Sequence, residues 1–131
     1  MKLRYLFLLM LPLSFLSAGQ ADVIDTTAEL IKQGDVHELA RSFSSTIELS
    51  VLDDENTYSN IQAEQILTTF FKRTAPKSIK MVHRITSNPN YRFAVLILTT
   101  NNGVYRTSFS LKNVKGHFEL NELRIEAEKT K

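Results

Sequence analysis

Beyond residue 21 the apolar positions fall first at helical spacing and then at alternating spacing. Val23, Ile24, Ala28, Leu30 and Ile31 share one side of a 3.6-residue period, which predicts a helix from near Asp22 to a stop at Gly34. Asp35, with Glu38 three residues on, caps a second short helix whose stripe is Val36, Leu39, Ala40 and Phe43. From Thr46 to Leu52 the period drops to two: Ile47, Leu49 and Val51 fall on one face, Thr46, Glu48 and Ser50 on the other. Asp53-Asp54-Glu55-Asn56 reads as a polar loop. Ser59-Asn60-Ile61-Gln62 then has the form of a capping box. It opens a third helix to about Thr74, with Ala63, Ile66, Leu67, Phe70 and Phe71 inward and Pro76 barring its continuation.

The rest reads as four strands. Ile79, Met81, His83 and Ile85 share a face opposite Lys80, Arg84 and Thr86, and Asn88-Pro89-Asn90 forms a turn. Phe93 to Leu98 is apolar on both faces, as in a covered central strand, and Asn102-Gly103 marks a hairpin. Tyr105, Thr107, Phe109 and Leu111 then face in, while Arg106, Ser108, Ser110 and Lys112 face out. In the last strand the apolar phase slips from Phe118 and Leu120 to Leu123, Ile125 and Ala127. A slip of one in a two-residue repeat requires an extra residue, so a β-bulge is expected around Asn121-Glu122. One curved antiparallel sheet with the three helices of the N-terminal half on one face buries all these stripes, an α+β architecture.

The first 21 residues stand apart. Lys2 and Arg4 precede an apolar run from Tyr5 to Leu16, and small residues follow at Ser17, Ala18, Gly19 and Ala21. This is the layout of a secretory signal peptide, and the run is short of the ~20 residues a membrane span needs. The expected organisation is a signal peptide over 1–21 and one domain over 22–131, periplasmic or secreted, with no stable membrane span after cleavage. The chain has no cysteine, which excludes disulfides and a lipidated amino terminus.

Charge divides unevenly. Residues 22–64 hold ten acidic and two basic side chains, and residues 65–131 hold twelve basic and four acidic. Such a split favours packing of one half on the other, or association between copies.

The order of elements resembles the nuclear-transport-factor-2-like superfamily, a cone-shaped α+β fold also called cystatin-like. The segments Tyr58-Ser59-Asn60-Ile61-Gln62-Ala63-Glu64-Gln65-Ile66-Leu67, Phe70-Phe71, Asn102-Gly103-Val104-Tyr105-Arg106 and Leu123-Arg124-Ile125-Glu126 resemble a family of small exported bacterial proteins of unknown function in that superfamily. One departure is Ile85 after His83-Arg84, where the resemblance leads one to expect a glycine or small residue. The resemblance implies the fold and carries no activity.

Candidate chemistry is sparse. His83, in phase with Met81, is expected to face the core or the mouth of the cone. A small or extended hydrophobic ligand entering there would meet Tyr58, Phe70, Met81, His83, Tyr105 and Phe109, which equally serve as core. The superfamily's isomerases and dehydratases need a carboxylate or a His–Asp pair inside the cone, and the inward positions here are almost all apolar. No cofactor, metal site or catalytic residue is therefore assigned. His37, His83 and His117 are widely separated, and Asp53-Asp54-Glu55-Asn56 lacks the glycine and distal glutamate of a calcium loop. Lys72, Arg73, Lys77, Lys80 and Arg84 form a basic stretch without interleaved stacking aromatics, so nucleic acid is not an expected partner. Arg106, Ser108, Arg124 and Glu126 are expected on the outer sheet face, where domains of this superfamily often pair. The function expected is a non-catalytic binding or assembly module of the cell envelope, with a hydrophobic ligand, an envelope protein or a second copy as partner. The alternative is a small cavity enzyme of the isomerase or dehydratase type.

Overall fold

A computed structural model describes residues 22–129, so the expected signal segment lies outside the described residues. Helix α1 (Val23–Gln33) starts where the Asp22 carboxylate accepts the Ile24 N–H at 2.9 Å. It ends at Gly34, where φ is +67° and a Cβ would lie only 3.3 Å from the Pro76 ring, so a side chain would be both strained and crowded. Helix α2 (Val36–Ala40) is capped by Asp35, which accepts the Glu38 N–H at 3.2 Å. Phe43, expected on its stripe, instead opens strand β1 (Phe43–Val51). The Leu120 N–H bonds the Ser42 carbonyl at 2.7 Å and draws the chain into the sheet there.

The expected polar loop after β1 is a second correction. Leu52 and Asp53 make a tight turn, with Leu52 at φ +58°, and Asp54–Ser59 returns as strand β2 antiparallel to β1. β2 lies at the sheet edge and buries none of its residues fully, so no apolar alternation marks it in the sequence. Helix α3 (Asn60–Arg73) follows, with both arms of the capping box formed between Ser59 and Gln62. Strands β3 (Pro76–Ile85), β4 (Tyr91–Thr100), β5 (Gly103–Val114) and β6 (His117–Ala127) complete the chain.

The six strands form one curved, unclosed sheet in the order β2-β1-β6-β5-β4-β3. Four ladders are antiparallel, and the fifth, β1 with β6, is parallel. Ile47, Leu49, Leu96, Leu98, Phe109, Leu111, Leu123 and Ile125 cover the inner face and pack beneath Ile24, Ile31, Leu39, Leu67 and Phe70.

Two bulges decide which side chains reach which face. In β6, Ser110 pairs with Glu122 and Leu111 with Leu120, so Asn121 is the extra residue the phase slip called for. In β3, Met81 pairs with Leu96 and His83 with Val95, so two β3 steps span one step of β4. This second bulge reverses the phase after Met81. His83 lies on the outer face and is exposed, while Arg84 falls on the helix side. The inward orientation expected for His83 is thereby corrected: strict alternation carries through a strand only when no residue is inserted. β4 is one strand from the edge, and the outward Phe93 and Ile97 are half-buried.

Candidate functional site

Strand pairing arranges the outer face of the sheet in rungs. One runs Glu55, Ser50, Arg124, Ser108, Val95, His83 from β2 to β3. The rung beside it carries Thr57, Glu48, Glu122, Ser110, Phe93 and Ile85. On the other side, Glu126, Arg106, Ile97 and Lys80 follow from β6 to β3. Charge is spread unevenly over this surface. Glu48, Glu55, Glu122 and Glu126 lie on β1, β2 and β6, with Arg124 of β6 among them; Arg106, Lys112, Lys80 and His83 lie on β5 and β3. Between the basic strands, β4 presents Tyr91, Phe93, Val95 and Ile97. Beside them, Ile85 and Val82 of the β3 bulge region are 40% and 48% exposed.

The four residues expected on this face are all there, in two cross-strand pairs: Arg106 opposite Glu126 and Ser108 opposite Arg124. Arg124 reaches both Glu55 and Glu126 at 3.4 Å. Burial pulls its guanidinium down, and the charges and hydrogen bonds of Glu55 and Glu126 more than offset that, leaving its pKa above the ordinary value. A recess of about 160 Å³ opens here between β2, β1 and β6. Glu48, Ser50, Glu55, Thr57, Glu122 and Arg124 are among its lining residues. No sequence signal marks it, because it depends on a parallel ladder that sets Glu48 beside Glu122.

The interior holds the rest of the expected ligand set. Phe109 is fully buried, and Phe70 is 2% exposed. Phe70 meets Phe71 and Tyr105 edge-to-face at centroid distances of 5.2 and 5.5 Å. Met81 and Tyr105 are half-buried against the core. Tyr58 is half-buried beside it, and its hydroxyl donates to Asp54 at 2.9 Å, a bond that raises the phenol pKa. These five side chains share the helix-covered side of the sheet, and His83 is separated from them. Thr107, fully buried, has a hydroxyl without a hydrogen-bond partner. The other buried polar residues among those described are Thr27, Ser50, Thr74, Thr100 and Ser110, and none is titratable.

Beside Phe70, an open groove of about 370 Å³ is lined by Val51, Leu52, Ile66 and Phe70, with Asp54, Gln65, Thr69 and Arg73 at its polar positions.

The basic stretch is dispersed by the fold. Arg84 is bound at 2.7 Å to Asp25 and at 3.4 Å to Asp22, tying β3 to the start of α1. The Asp25 hydrogen bond raises its pKa against a smaller opposing effect of burial. Lys80 faces outward from β3. His37 contacts Glu64 at 3.2 Å and His117 contacts Glu119 at 3.3 Å, far from His83 in the topology. Among the described residues no group of three or more His, Cys, Asp or Glu side chains is arranged to hold a metal ion. No helix among them is long and apolar enough to cross a membrane.

Among known families, the profile of a domain of unknown function, DUF4783, matches residues 24–126. No curated protein matches the chain. A DUF4783 crystal structure from Bacteroides uniformis is similar, with TM-score 0.78 at 20% identity, covering 83% of this chain and 100% of that one. Another from Bacteroides fragilis has TM-score 0.71 at 23% identity, covering 76% and 93%. A designed protein of the nuclear-transport-factor-2 type has TM-score 0.62 at 19% identity, covering 78% and 94%. At these identities the structural likeness establishes the fold alone.

Proposed function

The chain belongs to the DUF4783 family of unknown function, and from that premise we propose that it is an exported, non-catalytic assembly module of the cell envelope that pairs with a second copy through its outer sheet face. The observation that carries this reading is the patterned surface: four glutamates around Arg124 on β2, β1 and β6, basic side chains on β5 and β3, and the apolar strip of β4 between those two. A two-fold axis parallel to the strands lays β6 of one copy over β5 of the other and β2 over β3. Glu126 then meets Arg106, Glu55 meets His83, and the apolar strip of β4 lies over Ser50 and Glu48 of β1. Complementary potentials of this kind favour one arrangement over others. Arg106, Ser108, Arg124 and Glu126 are its interface residues, and His83 joins them from the edge strand.

The test is a charge reversal. Arg106→Glu should dissociate the pair, and Arg106→Glu mixed with Glu126→Arg should restore a mixed pair, read by native mass spectrometry. Pairing indifferent to both substitutions would overturn the assignment of this face.

A second reading is supported by the groove beside Phe70. Leu52 stands at its rim, 41% exposed and in a left-handed conformation that is costly for leucine. A hydrophobic ligand would lie there against Leu52, Ile66 and Phe70, whose ring also meets Tyr105, while Tyr58, Met81 and Phe109 are not among the lining residues. Native mass spectrometry of the protein from its own envelope tests it through extra mass that denaturation removes. Loss of no mass on denaturation would set this reading aside.

A further inference from the structure

We propose that the recess on the outer face between β2, β1 and β6 binds a primary alkylammonium group. Glu48 and Glu122 are register partners on neighbouring parallel strands, with backbones about 4.8 Å apart. Both point to the outer face, and neither is ion-paired among the described residues. Glu122 accepts only a long 3.5 Å hydrogen bond from the Ser110 hydroxyl, which leaves its charge uncompensated. Like charges side by side repel unless a cation lies between them. The third carboxylate of the recess, Glu55, is already bound to Arg124, as is Glu126 at its margin.

The Ser50 side chain opens into the same recess. Ser50 is 5% exposed, lines the recess, and has no side-chain hydrogen bond among the described residues. It lies two residues from Glu48 on the same face. An ammonium group carries three donors and no acceptor. Glu48, Glu122 and the Ser50 hydroxyl supply three acceptors around one small space.

The geometry also discriminates among cations. A divalent ion would sit beside the Arg124 guanidinium with two free carboxylates, and hard divalent ions take six or more oxygen ligands. A guanidinium is planar and suits a bidentate carboxylate rather than three separated acceptors. The recess of about 160 Å³ admits the ammonium and the first carbons of its chain.

The amine site does not depend on pairing of the sheet faces. The test uses the mature protein, both unaltered and as Arg106→Glu, whose substitution lies on β5 outside the recess. n-Butylamine and an N-acetyl-lysine amide are titrated while backbone amide shifts are followed by proton–nitrogen correlation spectra. Saturable shifts at Ser50, Glu48 and Glu122 are expected, and n-butanol should produce none. Glu48→Gln or Glu122→Gln should weaken binding about tenfold or more, the loss of one charge-assisted hydrogen bond. Tighter binding of n-butylamine assigns a free amine as the source, and tighter binding of the lysine amide assigns a protein side chain. Binding by Arg106→Glu alone would support the site and show that pairing covers it. Absence of saturable shifts in both proteins would overturn the proposal. So would shifts unaffected by the glutamine substitutions, or the same site taken by calcium chloride in preference to either amine.

Discussion

Truncating Phe109 to alanine should destabilise the domain by about 3–5 kcal/mol, because nothing near it can close the space. Phe109 is fully buried on the inner face of β5. Its register partners are Ala94 on β4 and Leu123 on β6. Ala94 has no reach to fill a void, and Leu123 is itself fixed in the core. The truncation removes roughly 150 Å² of buried apolar surface, about 4 kcal/mol at ~25 cal/mol/Å². That is a large share of the ~5–15 kcal/mol by which domains are stable. With a urea dependence of about 1–3 kcal/mol/M, the midpoint should fall by roughly 2 M, read by circular dichroism. The slope of the transition should stay unchanged. A loss below about 1 kcal/mol would contradict this packing, since a close-packed core does not tolerate such a void so cheaply. It would mean that the cone holds spare space at Phe109, as a ligand cavity would.

Further outcomes are expected. Thr107→Val keeps the shape and removes a buried hydroxyl without a partner, so it should stabilise by about 1 kcal/mol in urea unfolding; a loss of stability would show that the hydroxyl is satisfied by a bound molecule. Ser59→Ala removes the N-cap of α3 and should cost about 1 kcal/mol, with Ser59→Thr nearly neutral, on the same measurement. The Tyr58 phenol is raised above 10.0 by its hydrogen bond to Asp54. Its folded form therefore holds the proton longer than the unfolded chain, and the stability it adds is complete below the unfolded value and lost as pH rises through the folded one. Ultraviolet titration of tyrosinate should show one late-titrating tyrosine that Tyr58→Phe abolishes; an unchanged late component would move the assignment elsewhere.

Most of the fold was legible because burial imposes periodicity. The stripes of α1 and α3, the capping box at Ser59 and the extra residue at Asn121 all leave marks in the order of apolar residues. β2 leaves none, because only Tyr58 of this edge strand packs against the core, too little to make an alternation. The bulge after Met81 was hidden for a related reason. Val82, His83, Arg84 and Ile85 are all exposed, so their order records no preference for either face. The outer-face residues Arg106, Ser108, Arg124 and Glu126 could be placed because each flanks a strongly buried neighbour. The Glu48–Glu122 recess could not be foreseen, since it arises from the pairing of the first strand with the last.

Pairing through the outer sheet face is decided by native mass spectrometry of residues 22–131 over a range of concentrations, unaltered and with Arg106→Glu. A two-copy species should grow with concentration, disappear in Arg106→Glu and return when Glu126→Arg is added as the second component. A single copy at every concentration, or a pair that survives the reversal, would show that this face does not join two copies.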